Sequence, residues 1–184
     1  MKLVKKVLHG LMALAIIGSV EASYADTALF NAPGTYDTGA YIGIDTTTGL
    51  RADAVSVPDA RGVWNVWSNV TDHLAVANNT DPLNPGGATF SLPGRTFDLD
   101  ALKVFGYRTL NPRLAGATLA YTILGYYPGN PVPVAVPFTI KSLAAPVTKV
   151  FSTDFRLKGL EKAVIQFGST SGLTYFIETK YTPH

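Results

Sequence analysis

The sequence predicts an all-β protein: an antiparallel two-sheet β-sandwich of the jelly-roll type, preceded by a signal-peptide helix. Three observations lead to this fold class. Thr, Val, Tyr and Phe are plentiful, and such residues suit strands. Apolar and polar residues alternate at period two in several segments, and turns containing Gly or Pro separate those segments roughly every ten residues. Helical periodicity is nearly absent, so two packed antiparallel sheets are favoured.

The N-terminal residues have the three parts of an export signal. Three lysines come first, an apolar run from Leu11 to Val20 follows, and Ser23-Tyr24-Ala25 supplies the small residues of a cleavage site. The run is about ten residues long, whereas a membrane-spanning helix needs about 20. We therefore expect residues 1–25 to be a cleaved signal peptide and residues 26–184 to form a single β-sandwich domain. The expected location is extracellular or periplasmic, with no integral membrane span after cleavage.

The charge of the mature chain gives no reason to expect nucleic acid as a partner. The signal carries three of the fifteen Lys and Arg residues and one of the thirteen Asp and Glu residues, which leaves twelve of each. A formally neutral chain without a basic run lacks the electrostatic footprint that nucleic acid or an anionic membrane requires. The sequence contains no cysteine, so packing and sheet hydrogen bonds must supply the stability that disulfides give many exported proteins.

The clearest alternation extends from Ala117 to Tyr127 and predicts a strand whose apolar face carries Leu119, Tyr121 and Ile123. Further strands are predicted at 41–44, 62–67, 73–77, 88–92, 99–107, 134–140 and 162–167. Near the C-terminal end, a strand is predicted to turn one set of side chains to the core and the alternate set to solvent. The predicted core set is Leu173, Tyr175, Ile177 and Tyr181, and the predicted solvent set is Thr174, Glu178 and Lys180.

Proline is concentrated in one of these segments. Pro131, Pro133 and Pro137 lie close together, and proline cannot donate a hydrogen bond to a central ladder. The segment is therefore expected at a sheet edge or in a loop.

Short motifs follow one another between Val63 and Phe176: Trp64 to Asp72, Gly86-Gly87, Phe90 to Leu92, Phe97 to Leu102, Gly125 to Gly129, Phe155 to Leu160 and Val164 to Phe167. In this order they resemble a loosely defined group of secreted bacterial and fungal β-sandwich proteins. The group is similar in fold to carbohydrate-binding jelly rolls, so the resemblance implies glycan binding by analogy of fold. Members often carry an Asp-Asn pair in the last strand, whereas this sequence reads Tyr175 to Thr179 there and has no such pair.

Aromatic residues are the most informative candidates for a binding surface. Sugars stack on Trp or Tyr rings, and neighbouring polar side chains bond their hydroxyl groups. Trp64 and Trp67 are three apart in a strand, so they point to opposite faces and only one can meet a ligand. A second cluster lies at a predicted hairpin tip. The predicted ligand-binding residues are Trp67, Tyr126, Tyr127, Asn65, Asn69 and Asp72.

Catalytic and metal-binding patterns are weak. His73 is the one internal histidine outside the signal, and no nucleophile elbow accompanies it. Asp98 and Asp100 are expected on one face of a strand, about 7 Å apart, a distance compatible with an acid–base pair, but a polar outer face explains both aspartates with nothing further. We expect no enzyme activity and no zinc site. Calcium stays open as a cofactor, because loops offer the carboxylates of Asp37, Asp45, Asp53, Asp59, Asp72 and Asp81.

Two functions of different class follow. The first is a secreted, non-catalytic module that recognises an extracellular glycan, or a protein surface, through these aromatic residues. The second is a structural or adhesive subunit of an envelope or filament. In that case self-assembly would proceed by β-strand addition, through the edge from Val132 to Phe138 or through the stretch from Thr27 to Ile44.

Overall fold

The protein is described here by a computed structural model covering residues 24–29, 36–37, 42–45, 47–54, 66–68, 74–78, 87–107, 116–142, 145–167 and 172–184. Only the backbone is described at 36–37, 42–44, 54, 66–68, 74–78, 107, 167, 172–173 and 175. Within these ranges the chain is all-β, as predicted, apart from one 3-10 turn at Phe155–Leu157. These ranges contain no helix long and apolar enough to cross a membrane.

Thirteen strands follow one another along the described chain. They are β1 (Asp26–Ala28), β2 (Tyr36–Asp37), β3 (Ile42–Ile44), β4 (Arg51–Ala54), β5 (Val66–Ser68), β6 (Leu74–Asn78), β7 (Gly87–Ser91), β8 (Phe97–Tyr107), β9 (Thr118–Tyr126), β10 (Val134–Lys141), β11 (Val147–Val150), β12 (Lys162–Phe167) and β13 (Gly172–Pro183). The first sheet has the order β11-β8-β13-β6-β5, with β1 also paired with β13. The second sheet has the order β10-β9-β12-β7-β4-β3-β2.

The two sheets pack face to face through apolar side chains, which confirms the predicted β-sandwich. Phe90 of β7 and Phe176 of β13 meet across the interface, with ring centroids 5.3 Å apart and an edge-to-face angle of 76°. Both rings are fully buried. Near one border of the sandwich, Phe138 of β10 contacts Phe151, which follows β11, at 5.8 Å. Side chains from both sheets therefore share one hydrophobic core.

The alternation predicted for β9 is present in the structure. Leu119, Tyr121 and Ile123 are buried, while Thr118 and Ala120 are exposed. The strand lies between β10 and β12, so both its edges are hydrogen-bonded and its inner face is covered by the other sheet. Period-two patterning predicts a half-buried strand correctly here because no bulge interrupts its pairing.

The predicted orientation of β13 is wrong in its first half. Thr174 and Phe176 are buried there, although the pattern assigned Thr174 to solvent. The register against β8 shifts between Phe176 and Glu178. This one extra residue changes whether the even-numbered or the odd-numbered side chains of β13 face the core. Beyond the shift Thr179 and Tyr181 are buried, and Tyr181 therefore lies in the core as predicted.

The proline-containing segment forms an edge strand, as predicted. β10 is the terminal strand of the second sheet and pairs with β9 alone. Its inward residues Val136, Phe138 and Ile140 are buried, and Pro137 is exposed. The Nη1 atom of Arg156 donates to the Ala135 carbonyl at 3.3 Å. Alternate residues of a strand direct their backbone groups to the same side, so Pro137 shares the open side with Ala135 and offers no N–H there.

The buried side chain of Tyr121 makes the stability of the fold depend on pH in the alkaline range. Burial raises the pKa of Tyr121 from 10.0 to about 12, although its hydroxyl bonds with Thr174 Oγ1 at 2.9 Å. Because the folded state favours the protonated side chain, the contribution of Tyr121 to the free energy of unfolding is fully present below pH 10 and is lost as the pH rises towards 12. Absorbance titration of tyrosinate should show late-ionising tyrosine in the native protein, and Tyr121→Phe should reduce that late class by one. An unchanged late class would show that Tyr121 is accessible to solvent.

Candidate functional site

The β9–β10 hairpin forms one wall of a cleft at one end of the sandwich. The Asn130 N–H donates to the Tyr127 carbonyl at 3.1 Å, and Asn130 Oδ1 accepts the Val132 N–H at 3.0 Å. Gly129 between them has φ of 70°, a left-handed conformation that favours glycine. The hairpin tip predicted at this position is therefore present and is held by its own hydrogen bonds.

Tyr127 supports the hairpin and the neighbouring loop. Its ring is half-buried and packs against the core, and its hydroxyl donates to the Arg156 carbonyl at 3.2 Å. Gly125 lets the loop approach this closely, because a Cβ at that position would lie 3.0 Å from Leu160 Cδ2 and 3.3 Å from the Arg156 carbonyl oxygen. Tyr127 is therefore mainly a positioning residue.

Tyr126 presents its ring on the outer face of the second sheet. Its neighbour Gly125 is buried and Tyr126 is half-buried, so the side chain points away from the core. Lys162 lies directly opposite on β12, and its Nζ atom sits 4.6 Å from the ring centroid. Such a contact at a partly exposed site contributes about 0.5–1 kcal/mol, so a ligand can displace the flexible lysine at modest cost.

Two adjoining clefts share Glu161 and Lys162. The cleft beside the hairpin has a volume of about 400 Å³ and is lined by Tyr126, Tyr127, Gly129, Asn130, Pro131, Glu161 and Lys162. The cleft next to it has a volume of about 580 Å³ and is lined by Ser91, Leu92, Pro93, Gly94, Arg95, Thr96, Pro128, Glu161, Lys162 and His184. Together they form a groove lined by two tyrosine rings, the His184 imidazole, one acidic side chain, one amide and two cationic side chains, a combination suited to a polar, ring-shaped ligand.

Trp67 lies in a different part of the molecule from Tyr126. Its backbone belongs to β5, at the edge of the first sheet. The register across β6 and β13 places Trp67 in the same row as Phe105 of β8. Tyr126 belongs to the second sheet and lies near the other end of β8, where Leu160 pairs with Phe97. The eight residue steps from 97 to 105 span about 26 Å along a strand. The structure therefore does not bring these two predicted site residues together.

The remaining predicted site residues lie outside the described ranges. These are Asn65, Asn69 and Asp72, and His73, the histidine weighed for catalysis, lies outside them as well.

Asp98 and Asp100 share one face of β8, as predicted, and both are bonded to the same cation. Lys158 Nζ lies 3.2 Å from Asp98 Oδ2 and 2.9 Å from Asp100 Oδ1. Asp98 also accepts the Gly159 N–H at 2.8 Å and contacts His184 Nε2 at 2.7 Å. Thr182 Oγ1 donates to Asp100 at 2.6 Å. We call these residues the Asp98–Lys158 cluster; it joins β8, the loop before β12 and the end of β13.

The electrostatics of the cluster favour ionised carboxylates. Burial alone would raise the pKa of Asp98, but the hydrogen bonds from Gly159, His184 and Lys158 outweigh it and lower that pKa below 3.8. Burial likewise opposes charge on Lys158, yet its bonds to Asp100 and Asp98 raise the lysine pKa above 10.5. A carboxyl group with a lowered pKa holds a proton poorly, so Asp98 does not suit the general-acid role in glycoside cleavage.

The aspartates considered for calcium serve other partners where their side chains are described. Asp45 is buried and accepts hydrogen bonds from the Thr48 N–H, at 3.1 Å, and from the Thr48 hydroxyl. Asp53 accepts both of its bonds from Arg51 Nε at 2.9 Å. The structure describes only the backbone of Asp37, and three further aspartates lie outside the described ranges: Asp59, Asp72 and Asp81. The described side chains include no group of three or more His, Cys, Asp or Glu that could hold a metal ion.

Sequence reasoning missed Lys162, Glu161 and Arg95. The sequence predicts Lys162 at the start of a strand, but its position opposite Tyr126 follows only from the register between β9 and β12. Arg95 enters the groove from the turn after β7, which no local pattern links to the hairpin. One usable signal was present: Glu161 and Lys162 are adjacent charges at the start of an otherwise apolar strand.

No family model matches the chain, and a search of curated proteins finds no match either.

Proposed function

We propose that the protein is a secreted, non-catalytic binding module that recognises an extracellular glycan in the groove beside the β9–β10 hairpin. One observation carries the proposal: the Tyr126 ring lies on an outer sheet face, flanked by Lys162 and in one cleft with Asn130 and Glu161. An aromatic face supplies apolar contact to a sugar ring, and the surrounding side chains supply donors and an acceptor for its hydroxyl groups.

Export is part of this proposal. The signal pattern ends at Ala25, and β1 begins at Asp26. Cleavage at the predicted site would therefore leave every residue of β1 in place, including its pairing with Tyr181, Lys180 and Thr179 of β13.

Assembly by strand addition has less support. The open side of β10 lacks an N–H at Pro137, and the Ala135 carbonyl on that side already accepts a bond from Arg156. In the N-terminal stretch β3 is paired on both sides, so the open edges that the described residues offer there belong to β1, with 3 residues, and β2, with 2, and strands this short are poor templates for strand addition. Size-exclusion chromatography is the direct test: we expect a monomer, and concentration-dependent polymers would favour the structural alternative.

The binding experiment compares wild type with Tyr126→Ala on a polysaccharide array. The variant should lose at least about tenfold in affinity, or about 1.4 kcal/mol, because the stacking surface is removed. Phe155→Ala is the matched control, since Phe155 is an aromatic residue 80% exposed and does not line the groove. Its affinity should not change.

The Trp67→Ala variant tests in the same experiment whether the glycan binds instead at the edge of the first sheet, where Trp67 lies. Loss of binding with Trp67→Ala but not with Tyr126→Ala would move the site to the edge of the first sheet. If wild type binds no plant, bacterial or host polysaccharide, the proposed function is wrong. Unchanged thermal unfolding of each variant excludes loss of fold as the cause.

A further inference from the structure

Four outward-facing residues stand in one row across the second sheet. Antiparallel pairing places Arg51 opposite Ser91, Ser91 opposite Lys162, and Lys162 opposite Tyr126. All four are half-buried, and each has a buried neighbour in its own strand: Ala52, Phe90, Ala163 and Gly125. The row therefore crosses β4, β7, β12 and β9 on the outer face.

The row is continuous with the groove. Neighbouring strands lie about 4.8 Å apart, so the four residues span about 14 Å at right angles to the strands. Ser91 and Lys162 of the row also line the larger cleft, and Tyr126 and Lys162 line the smaller one. A linear ligand lying across the strands would contact Tyr126 at one end and Arg51 at the other, which is the extent of a short oligosaccharide.

The cations of this surface are unequally paired. Arg51 is neutralised by Asp53, with Nε 2.9 Å from the carboxylate. Lys162 contacts the Tyr126 ring, and Arg95 donates from Nε to the main-chain oxygen of His184, the last residue of the sequence, at 3.2 Å. Neither Lys162 nor Arg95 forms an ion pair with a described side chain. One acidic side chain, Glu161, lines the same groove.

This arrangement matches a ligand that brings its own negative charges. An arginine guanidinium presents a planar pair of donors that fits a carboxylate, and a lysine ammonium can turn towards an oxygen from any direction. Arg95 uses Nε for the main-chain oxygen of His184, and its terminal nitrogens bond to no other described residue. Lys162 can exchange the Tyr126 ring for a carboxylate, which would also uncover the ring for a sugar face.

We infer that the groove binds an acidic polysaccharide, a chain of uronic-acid units lying across the strands, with a sugar on Tyr126 and carboxylates at Lys162 and Arg95. This inference rests on the proposed function and adds the chemical class of the ligand. It involves no chemical step, since recognition requires only stacking and charge-assisted hydrogen bonds.

The test uses polygalacturonate and its fully methyl-esterified form, which have the same sugar and differ in charge. Wild type should bind the free acid at least tenfold more tightly at low ionic strength, and added salt should reduce the difference because exposed charges are screened. Lys162→Ala and Arg95→Ala should each reduce the preference for the acid. Lys180→Ala, which removes an exposed lysine of β13, should leave it unchanged.

The outcomes separate this inference from the proposed function. Equal binding of acid and ester, tighter binding of the ester, binding of neutral glycans alone, or a stronger preference for dextran sulfate would overturn the acidic-sugar inference and leave glycan binding in place. Failure to bind any polysaccharide would overturn both. A preference for the acid that survives Lys162→Ala and Arg95→Ala together would also overturn it, because the charge would then be recognised elsewhere.

Discussion

Replacing Phe90 with alanine is expected to lower the free energy of unfolding by about 3–5 kcal/mol. Phe90 is fully buried in β7, and its ring meets Phe176 of the opposite sheet at 5.3 Å. The substitution removes apolar area and an edge-to-face contact, and strands on either side limit how far the cavity can collapse. Urea unfolding followed by circular dichroism measures the change.

Phe155→Ala is the matched control for this prediction. The same atoms are removed from a ring that is 80% exposed, so the free energy of unfolding should change by less than about 0.5 kcal/mol. A small change in both variants would mean that the two sheets do not pack against each other through Phe90.

Lys158→Ala is expected to cost about 2 kcal/mol at neutral pH. The lysine is the cation shared by Asp98 and Asp100, whose side chains are only 16% and 13% exposed. Removing it leaves two neighbouring carboxylates to repel each other. Breaking a fully buried pair costs about 3–5 kcal/mol, and the smaller figure reflects the 32% exposure of the lysine side chain. Lys180→Ala, an exposed lysine of β13, is the control and should be nearly neutral.

The loss of stability in Lys158→Ala should depend on pH and be greater at neutral than at acidic pH. In wild type the pKa of Asp98 is lowered below 3.8, so its stabilising contribution is present above that pH and is lost as the pH falls through the lowered value. In Lys158→Ala the penalty should be largest at pH 7 and should shrink as the pH falls through the pKa of Asp98, because a protonated Asp98 no longer attracts the lysine. Thermal unfolding from pH 3 to pH 7 measures this. A penalty independent of pH would show that Lys158 acts by packing alone.

The fold could be predicted where patterning is regular. β9 and β12 were predicted with one-residue accuracy or better, because both lie inside a sheet and no register shift interrupts them. The orientation of β13 could not be predicted, because the shift near Ile177 reverses the parity that alternation assumes. Bulges depend on pairing with another strand, here β8, and local composition does not encode them.

The candidate site was predictable in part. Tyr126 and Tyr127 follow from turn chemistry, since Pro128-Gly129-Asn130 indicates a hairpin tip beside them. Their partners come from distant positions: Lys162 is brought in by register, and Arg95 comes from the turn after β7. Trp67 has an equally suggestive local sequence but belongs to the other sheet. Local patterns identify ligand-like residues, and strand order decides which of them meet.

Asp98 and Asp100 are ambiguous in the sequence for the same physical reason. Their spacing correctly placed both carboxylates on one face of β8, but the cation between them, Lys158, is 58 residues from Asp100. With that cation in place, the Asp98–Lys158 cluster ties the end of β13 to β8 and to the loop that enters β12. The groove residues Glu161 and Lys162 follow directly from this loop, so the cluster positions the proposed binding surface.

Backbone chemical-shift mapping with a bound oligosaccharide tests the proposed site most directly. Titration of the isotope-labelled protein with an oligogalacturonate should perturb amides of the β9–β10 hairpin, the start of β12 and the turn after β7, with small changes in β5 and β6. The affinity from these shifts should fall in Tyr126→Ala. Perturbations confined to β5, β6 and their flanking residues would contradict the account and place recognition on the Trp67 side of the sandwich.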